Sequence, residues 1–257
     1  MNSFELRTAV AIELPISVEE VNKEYILDLC HDFVVFDDAL DTFRFAHLSV
    51  REFLKTRAEY TPVACDVLAA EICLIQLIGS TESLTAKDLF KDKCAVNVYS
   101  KLASTSESIV GGFHKYSTLY WTKHCASILE EGRQTHARFP GLFQFFLSTD
   151  CGSPSPLDAW MLSYRHRDYG DHALYYLRKA LDEYPNPLTT PFLLACAFGF
   201  CEILRESLKN PQLGVEERRT AWDIAALSGQ DEALKTLLTK RGECDIPEDF
   251  VEKWRQT

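Results

Sequence analysis

Nine cysteines and seven histidines are spread over 257 residues, and their spacing decides what chemistry they can do. A bound metal needs side chains that converge, as CxxC pairs or an HExxH helix provide. Neither pattern occurs. Cys30-His31 and His124-Cys125 are adjacent pairs, which cannot easily face one ion together. Cys65 and Cys73 lie eight residues apart on one expected helix, far for a shared ion. The expectation is no metal site and buried structural thiols. Nucleophilic catalysis has no better footing. There is no GxSxG elbow, and Cys151 in Asp150-Cys151-Gly152 sits in a polar loop with no activating setting. A phosphate cradle needs GxxxxGK[ST], but the one glycine pair, Gly111-Gly112, runs into Phe113-His114. No apolar run ending in paired acids precedes it. The residue types therefore predict a non-enzyme with no cofactor and no small-molecule substrate. One histidine stands apart: His47, in Phe45-Ala-His47-Leu-Ser49-Val-Arg-Glu52-Phe53. Its plain reading is a hydrogen-bonded histidine at a hairpin end.

Composition sets the frame. The chain is 46% hydrophobic and 25% charged, with a formal net charge of −11. These values fit a folded globular protein. They oppose a broad electrostatic footprint for nucleic acid or for an anionic membrane. The acid is densest in residues 1–60, which hold twelve Asp and Glu against six Lys and Arg. The start, MNSFELRTAVAIELP, lacks a basic leader and carries Glu5 and Glu13 around its short apolar run. With an odd cysteine count, this predicts reduced thiols and a cytoplasmic or nuclear protein. No apolar stretch is expected to reach the roughly 18–20 residues of a membrane span. The best candidate, Val63 to Ile78, is interrupted by Asp66, Glu71 and Gln76.

Three segments position these residues. Residues 1–60 read as helix, hairpin, helix. Ser17-Val-Glu-Glu20 matches a capping box, followed by Val21, Tyr25, Ile26 and Leu29 at helical spacing. Phe33 to Phe36 is a strand-like run. Asp37 to Asp41 is a turn, and Phe43, Phe45 and His47 alternate with Arg44 and Ala46, as on a strand with one buried face. Ser49-Val-Arg-Glu52 is a second capping box opening a helix through Phe53 and Leu54. Residues 61–186 read as an all-helical segment. Thr61-Pro62 starts a central helix that Gly79-Ser80-Thr81 ends, and Thr85 to Asp88 opens another. Aromatics cluster in Phe113 to Trp121 and in Phe139 to Phe146, and the first cluster is expected to be helix core rather than a ligand cage. Further helices are expected from Pro156 and Asp171, with Pro185-Asn-Pro187 closing the segment.

Residues 187–257 hold an internal repeat. Thr190 and Thr220, Ala195 and Ala225, Gly199 and Gly229, Leu204 and Leu234, and Leu208 and Leu238 each stand 30 residues apart. In this pattern Thr caps a short helix, small Ala lets two helices close up, Gly makes the reversal, and the leucines supply the second helix's inner face. Residues 243–257 read as a charged terminal cap.

The repeat resembles the ankyrin repeat, whose TPLHxA motif is read in Thr190-Pro191-Phe192-Leu193-Leu194-Ala195 and in Thr220-Ala221-Trp222-Asp223-Ile224-Ala225. The second lacks Pro, both lack His, and the interval is below the usual 33 or so, which implies a trimmed loop between Asn210 and Arg219. Residues 25–54 resemble the winged helix that follows the NACHT module of signal-transduction ATPases, in the form labelled GPI inositol-deacylase-type. Tyr116, Tyr120, Trp121, His124 and Cys125 resemble the YxxxYWxxHC stretch of the linker in fungal NACHT–ankyrin proteins. The resemblance implies a mainly α protein with a winged-helix segment and one small hairpin, a helical linker and two ankyrin-like repeats. It implies the C-terminal part of a signalling protein of innate immunity or incompatibility, without its ATPase core. Its role would be protein–protein interaction with an unidentified partner. It also implies that His47 could meet a nucleotide phosphate, only in trans. DNA binding is not expected, because the helix Glu19 to His31 offers Lys23 alone against four acids and the hairpin tip adds Asp37, Asp38 and Asp41.

Overall fold

The computed structural model describes residues 2–14, 16–79, 107–131, 138–147, 155–165, 175–177, 179–180 and 190–239. The helix expected from Thr85, the Asp150-Cys151-Gly152 loop, the helix start at Asp171, the close at 185–187 and the cap at 243–257 lie outside them. The protein is mainly helical, with one two-stranded antiparallel sheet among the described residues. It divides into two units, residues 1–160 and 161–257.

The first unit opens with helix α1, Ser3–Glu13. Its start is a true capping box: Asn2 accepts from the Glu5 amide at 2.8 Å, and the Asn2 amide donates to the Glu5 carboxylate at 2.7 Å. Helix α2, Lys23–Cys30, begins later than the Ser17 box implies. Asn22 caps it, accepting from the Tyr25 amide at 2.7 Å. Ser17 instead closes a turn on the Glu19 amide. Asn22 wins because its carboxamide sits at the break in backbone direction, with φ −82 and ψ 179. A 3-10 turn, His31–Phe33, leads into strand β1, Val34–Asp37, which pairs with β2, Thr42–Phe45. The register sets Val34 opposite Phe45, Val35 opposite Arg44, Phe36 opposite Phe43 and Asp37 opposite Thr42. Phe36 and Phe43 meet edge to face with ring centroids 5.0 Å apart. The expected buried face is only partly buried, since Phe45 keeps 44% of its surface exposed.

Helix α3, Leu48–Lys55, follows the hairpin. Its cap is His47, not Ser49: the imidazole Nδ1 accepts from the Ser49 amide at 3.1 Å. The Ser49 box is thereby corrected, as Ser49 stands inside the helix it was expected to open. None of the eight residues of α3 is buried, although Leu48 and Phe53 are large and apolar.

The small core under the hairpin is Ala11, Val18, Val21 and Ile26, with Phe4, Tyr25 and Phe43 packed beside it. Burying such side chains stabilises by about 25 cal/mol per Å² of apolar surface. The larger core lies between α4, Pro62–Gly79, and α5, Glu107–Glu131. Thr61 accepts from the Ala64 amide, as the Thr-Pro start implies. By length and composition α4 is apolar enough to cross a bilayer, with mean hydropathy 1.7, against the expectation from its interrupting polar residues. More than half of that window is buried within the protein, as in the core helix of many folded domains.

Helix α6, Phe139–Leu147, and helix α7, Pro156–Arg165, complete the aromatic core. Trp121 lies 4.7 Å from Phe146 and 5.2 Å from Trp160, centroid to centroid. Trp160 donates its indole N–H to the Thr118 carbonyl at 3.0 Å, so its one polar atom is satisfied inside the core. Phe113 and Trp121 of the first aromatic run are helix core, as expected, while Tyr116 is half-buried and Tyr120 keeps 39% of its surface exposed.

The described residues 190–239 of the second unit form two helical hairpins. In the first, α8 (Thr190–Phe198) reverses into α9 (Cys201–Ser207). In the second, α10 (Val215–Leu227) reverses into α11 (Asp231–Thr239).

Candidate functional site

The repeat residues occupy equivalent places in the two hairpins. Gly199 and Gly229 hold φ of +73° and +68°, the left-handed region where only glycine avoids a steric cost. Each lets the chain close one hydrogen bond backwards: Phe200 N–H to the Ala195 carbonyl and Gln230 N–H to the Ala225 carbonyl, both 2.9 Å. This is a Schellman end, made twice at 30-residue spacing. Ala195 and Ala225 are fully buried, as close helix packing requires. Leu204, Leu208 and Leu234 are buried, while Leu238 is partly exposed. Gln230 joins the hairpins by donating from its side chain to the Ala197 carbonyl at 3.3 Å.

The expected role of threonine as a cap fails in the second hairpin. Thr220 lies inside α10, which starts five residues earlier at Val215. Thr190 is the first residue of α8, with Pro191 next, where a missing amide costs nothing. The loop between hairpins spans residues 208–214, ending just before Val215. Val215 keeps 51% of its surface exposed at this tip, beside exposed Gln212 and Glu216. Asp223 stands within α10, and burial raises its carboxyl from its ordinary value, countered by Arg219.

His47 is exposed at the base of the hairpin. Accepting the Ser49 amide fixes Nδ1 as an acceptor, which places the proton of a neutral ring on Nε2. The plain reading of this residue, a hydrogen-bonded histidine near a hairpin end, is what the structure contains.

Sequence reasoning missed a polar chain between α4 and α5. Asp66 Oδ1 lies 2.8 Å from His124 Nδ1, and His124 Nε2 lies 3.0 Å from the Tyr116 hydroxyl. Nδ1–H donates to the carboxylate, so Nε2 of the neutral ring accepts from the phenol. The order carboxylate, imidazole, hydroxyl matches that of a relay triad. The hydroxyl is tuned the other way, however. Burial, reinforced by Cys73, pushes the Tyr116 phenol up to about 12, so it stays protonated and non-nucleophilic. Burial likewise pushes the Cys73 thiol up to about 12, with the neighbouring Ser117 hydroxyl acting weakly the other way. The chain of bonds therefore ties two helices together. Tyr116, Tyr120 and His124 at four-residue steps were legible as one helix face. Asp66, 58 residues upstream of His124, was not.

A second tie runs through Arg138. Its guanidinium reaches Glu71 at 2.8 Å and Glu13 at 2.9 Å. Partial burial weakens the Arg138 cation, and the two carboxylates more than restore it. Among the described residues no group of His, Cys, Asp and Glu is placed to hold a metal ion. No family model matches the chain, and neither does any curated protein or solved structure.

Proposed function

We propose that this chain is a non-enzymatic protein-interaction module, with its binding element in the paired helical hairpins of residues 190–239. The observation that carries this reading is the twice-made reversal at Gly199 and Gly229, with matching hydrogen bonds 30 residues apart. Such hairpins bury their apolar faces on one another and leave loop tips and one continuous face free for a partner. The reading takes the hairpins as ankyrin-like. It takes the helix–hairpin–helix of residues 23–55 as winged-helix-like, and the protein as the sensor end of a NACHT–ankyrin signalling system, cytoplasmic or nuclear. Two departures mark the second hairpin: α10 is extended back to Val215, and Asp223 replaces histidine. The densest acid lies at the N-terminal segment, which favours a protein over a nucleic acid as partner.

Quantitative affinity capture from the source cells tests the reading, comparing the native chain with a Gln212→Arg, Val215→Arg variant at the loop tip. The expected result is a specific partner retained by the native chain and depleted about tenfold by the variant, as for the loss of a buried hot-spot residue. A partner captured equally by both would overturn the assignment to the hairpins.

A second reading is favoured by the geometry of His47. Its ring is anchored through Nδ1 and exposed, so Nε2–H could reach the β-phosphate of a nucleotide on a separate NACHT ATPase. Mixing the chain with such an ATPase and following ADP release distinguishes the two readings. Release slowed by the native chain and not by His47→Ala supports action in trans; release unaffected by either removes it.

A further inference from the structure

The crevice between α2 and β1 carries an inference independent of the helical hairpins. Both strands of the hairpin are edge strands. Ala46 N–H donates to the Phe33 carbonyl at 3.0 Å, so residues 33 and 46 form a hydrogen-bonded pair. The alternation of an antiparallel ladder then makes 35–44 and 37–42 the other bonded pairs. Val34 and Phe36 consequently direct their N–H and C=O groups away from β2. No described backbone group outside the sheet bonds to them. Four peptide groups thus line an open edge, a template for a further strand.

That edge borders a groove of about 760 Å³. Its apolar lining is Leu27 from the helix with Val34, Val35 and Phe36 from the strand. Its charged lining is mostly acid. Asp28 and Asp32 are exposed, and no described cation pairs with either. Lys23, the lysine of the groove, is already neutralised by Asp38 at 2.8 Å and stacked 3.9 Å over the Phe36 ring. A third strand laid along β1 would find main-chain partners on one side. Its alternate side chains would find an apolar wall and two free carboxylates.

We propose that this groove binds an extended, basic peptide segment of a partner protein, which adds as a third strand to β1 and places Lys or Arg side chains against Asp28 and Asp32. Ladder hydrogen bonds would supply affinity, and the carboxylates would select the charge. A second copy of this chain fits poorly, because it would bring the same acidic rim against this one.

The test uses the full chain and a fluorescent peptide alternating lysine and valine. Companion peptides carry glutamate for lysine, N-methyl groups on either alternate set of amides, or a helix-stabilising staple. Saturable binding is expected, with amide shifts at residues 23–36 in NMR spectra. One N-methyl set should abolish binding and the other preserve it, because only one set of amides faces the strand. Asp28→Asn with Asp32→Asn should weaken binding about fivefold to tenfold at low salt, in the range of close interfacial charges. The proposal is overturned by any of several results: no saturable binding, equal effects of the two N-methyl sets, equal binding of the acidic peptide, tighter binding of the stapled helix, or self-association of the chain through this edge.

Discussion

His31 carries a φ of +48° with ψ −137°, a region that side-chain-bearing residues rarely adopt. It sits where α2 must turn sharply into β1, and the turn holds it there. Replacing it with glycine removes the steric cost, so His31→Gly should raise stability by about 1 kcal/mol in urea denaturation. The glycines of the hairpins make the opposite case. A methyl group on Gly199 would sit 2.5 Å from the Gln230 side-chain oxygen, while one on Gly229 would meet nothing within 4 Å. Both substitutions to alanine should cost about 1 kcal/mol for the left-handed backbone. Gly199→Ala should cost more, because it also displaces the Gln230 bond to Ala197. Equal midpoints for the two variants would contradict this account of how the hairpins are joined. The thiols are graded in the same way. Cys73, Cys125 and Cys196 are buried, and burial holds Cys73 and Cys196 strongly in the thiol form. Cys65 is exposed, although burial and Asp66 still raise it. Brief alkylation of the folded chain near pH 8, read by peptide mass spectrometry, should label Cys65 and spare those three.

At the scale of elements, the caps explain which sequence signals were reliable. Thr61-Pro62 worked because proline fixes the first helical φ and needs no partner. The two boxes at Ser17 and Ser49 failed because asparagine and histidine nearby made better-placed acceptors. Asn22 and His47 sit at the bends in the backbone, and the serines do not. The same box at Asn2 and Glu5 was present in the sequence and real. Asn22→Ala should therefore destabilise by about 1 kcal/mol, the usual value of an N-cap, and Ser17→Ala by clearly less. The hairpin was legible because apolar alternation and an Asp-rich turn coincide. Asp37 accepts from the Ala39 and Leu40 amides within that turn, and the turn is pinned by Ser3 N–H donating to the Asp41 carbonyl at 2.8 Å. Long-range ties could not be read from spacing. Glu71 is buried in the middle of α4, and its partner Arg138 is 67 residues away. Arg138→Ala leaves that carboxylate buried without its cation. The expected loss is about 2 kcal/mol, below the value for a fully buried pair because Arg138 is half exposed.

For the molecule as a whole, helical content, the small sheet and the repeat were legible, because each rests on local periodicity. The first unit's organisation was less so. Its helices are joined by Asp66–His124–Tyr116 and by the Arg138 pairs, which depend on residues far apart in sequence. One consequence is visible against pH. Burial lifts Cys73 from 9.0 and Tyr116 from 10.0, each to about 12, in the folded chain. The folded state therefore holds these protons while the unfolded state releases them. The stability they favour is complete below about pH 9 and is lost as pH rises through 12. Thermal melting should fall steeply across that window, and the fall should be shallower in Tyr116→Phe.

The central claim is that the chain acts by binding another protein through residues 190–239. Hydrogen exchange of the full chain, alone and in complex with its captured partner, tests this most directly. The account predicts slowed exchange at residues 208–219 and along the first helices of the hairpins, with His47 and the α4–α5 core unchanged. Protection confined to the first unit, with residues 190–239 exchanging as in the free chain, would contradict it.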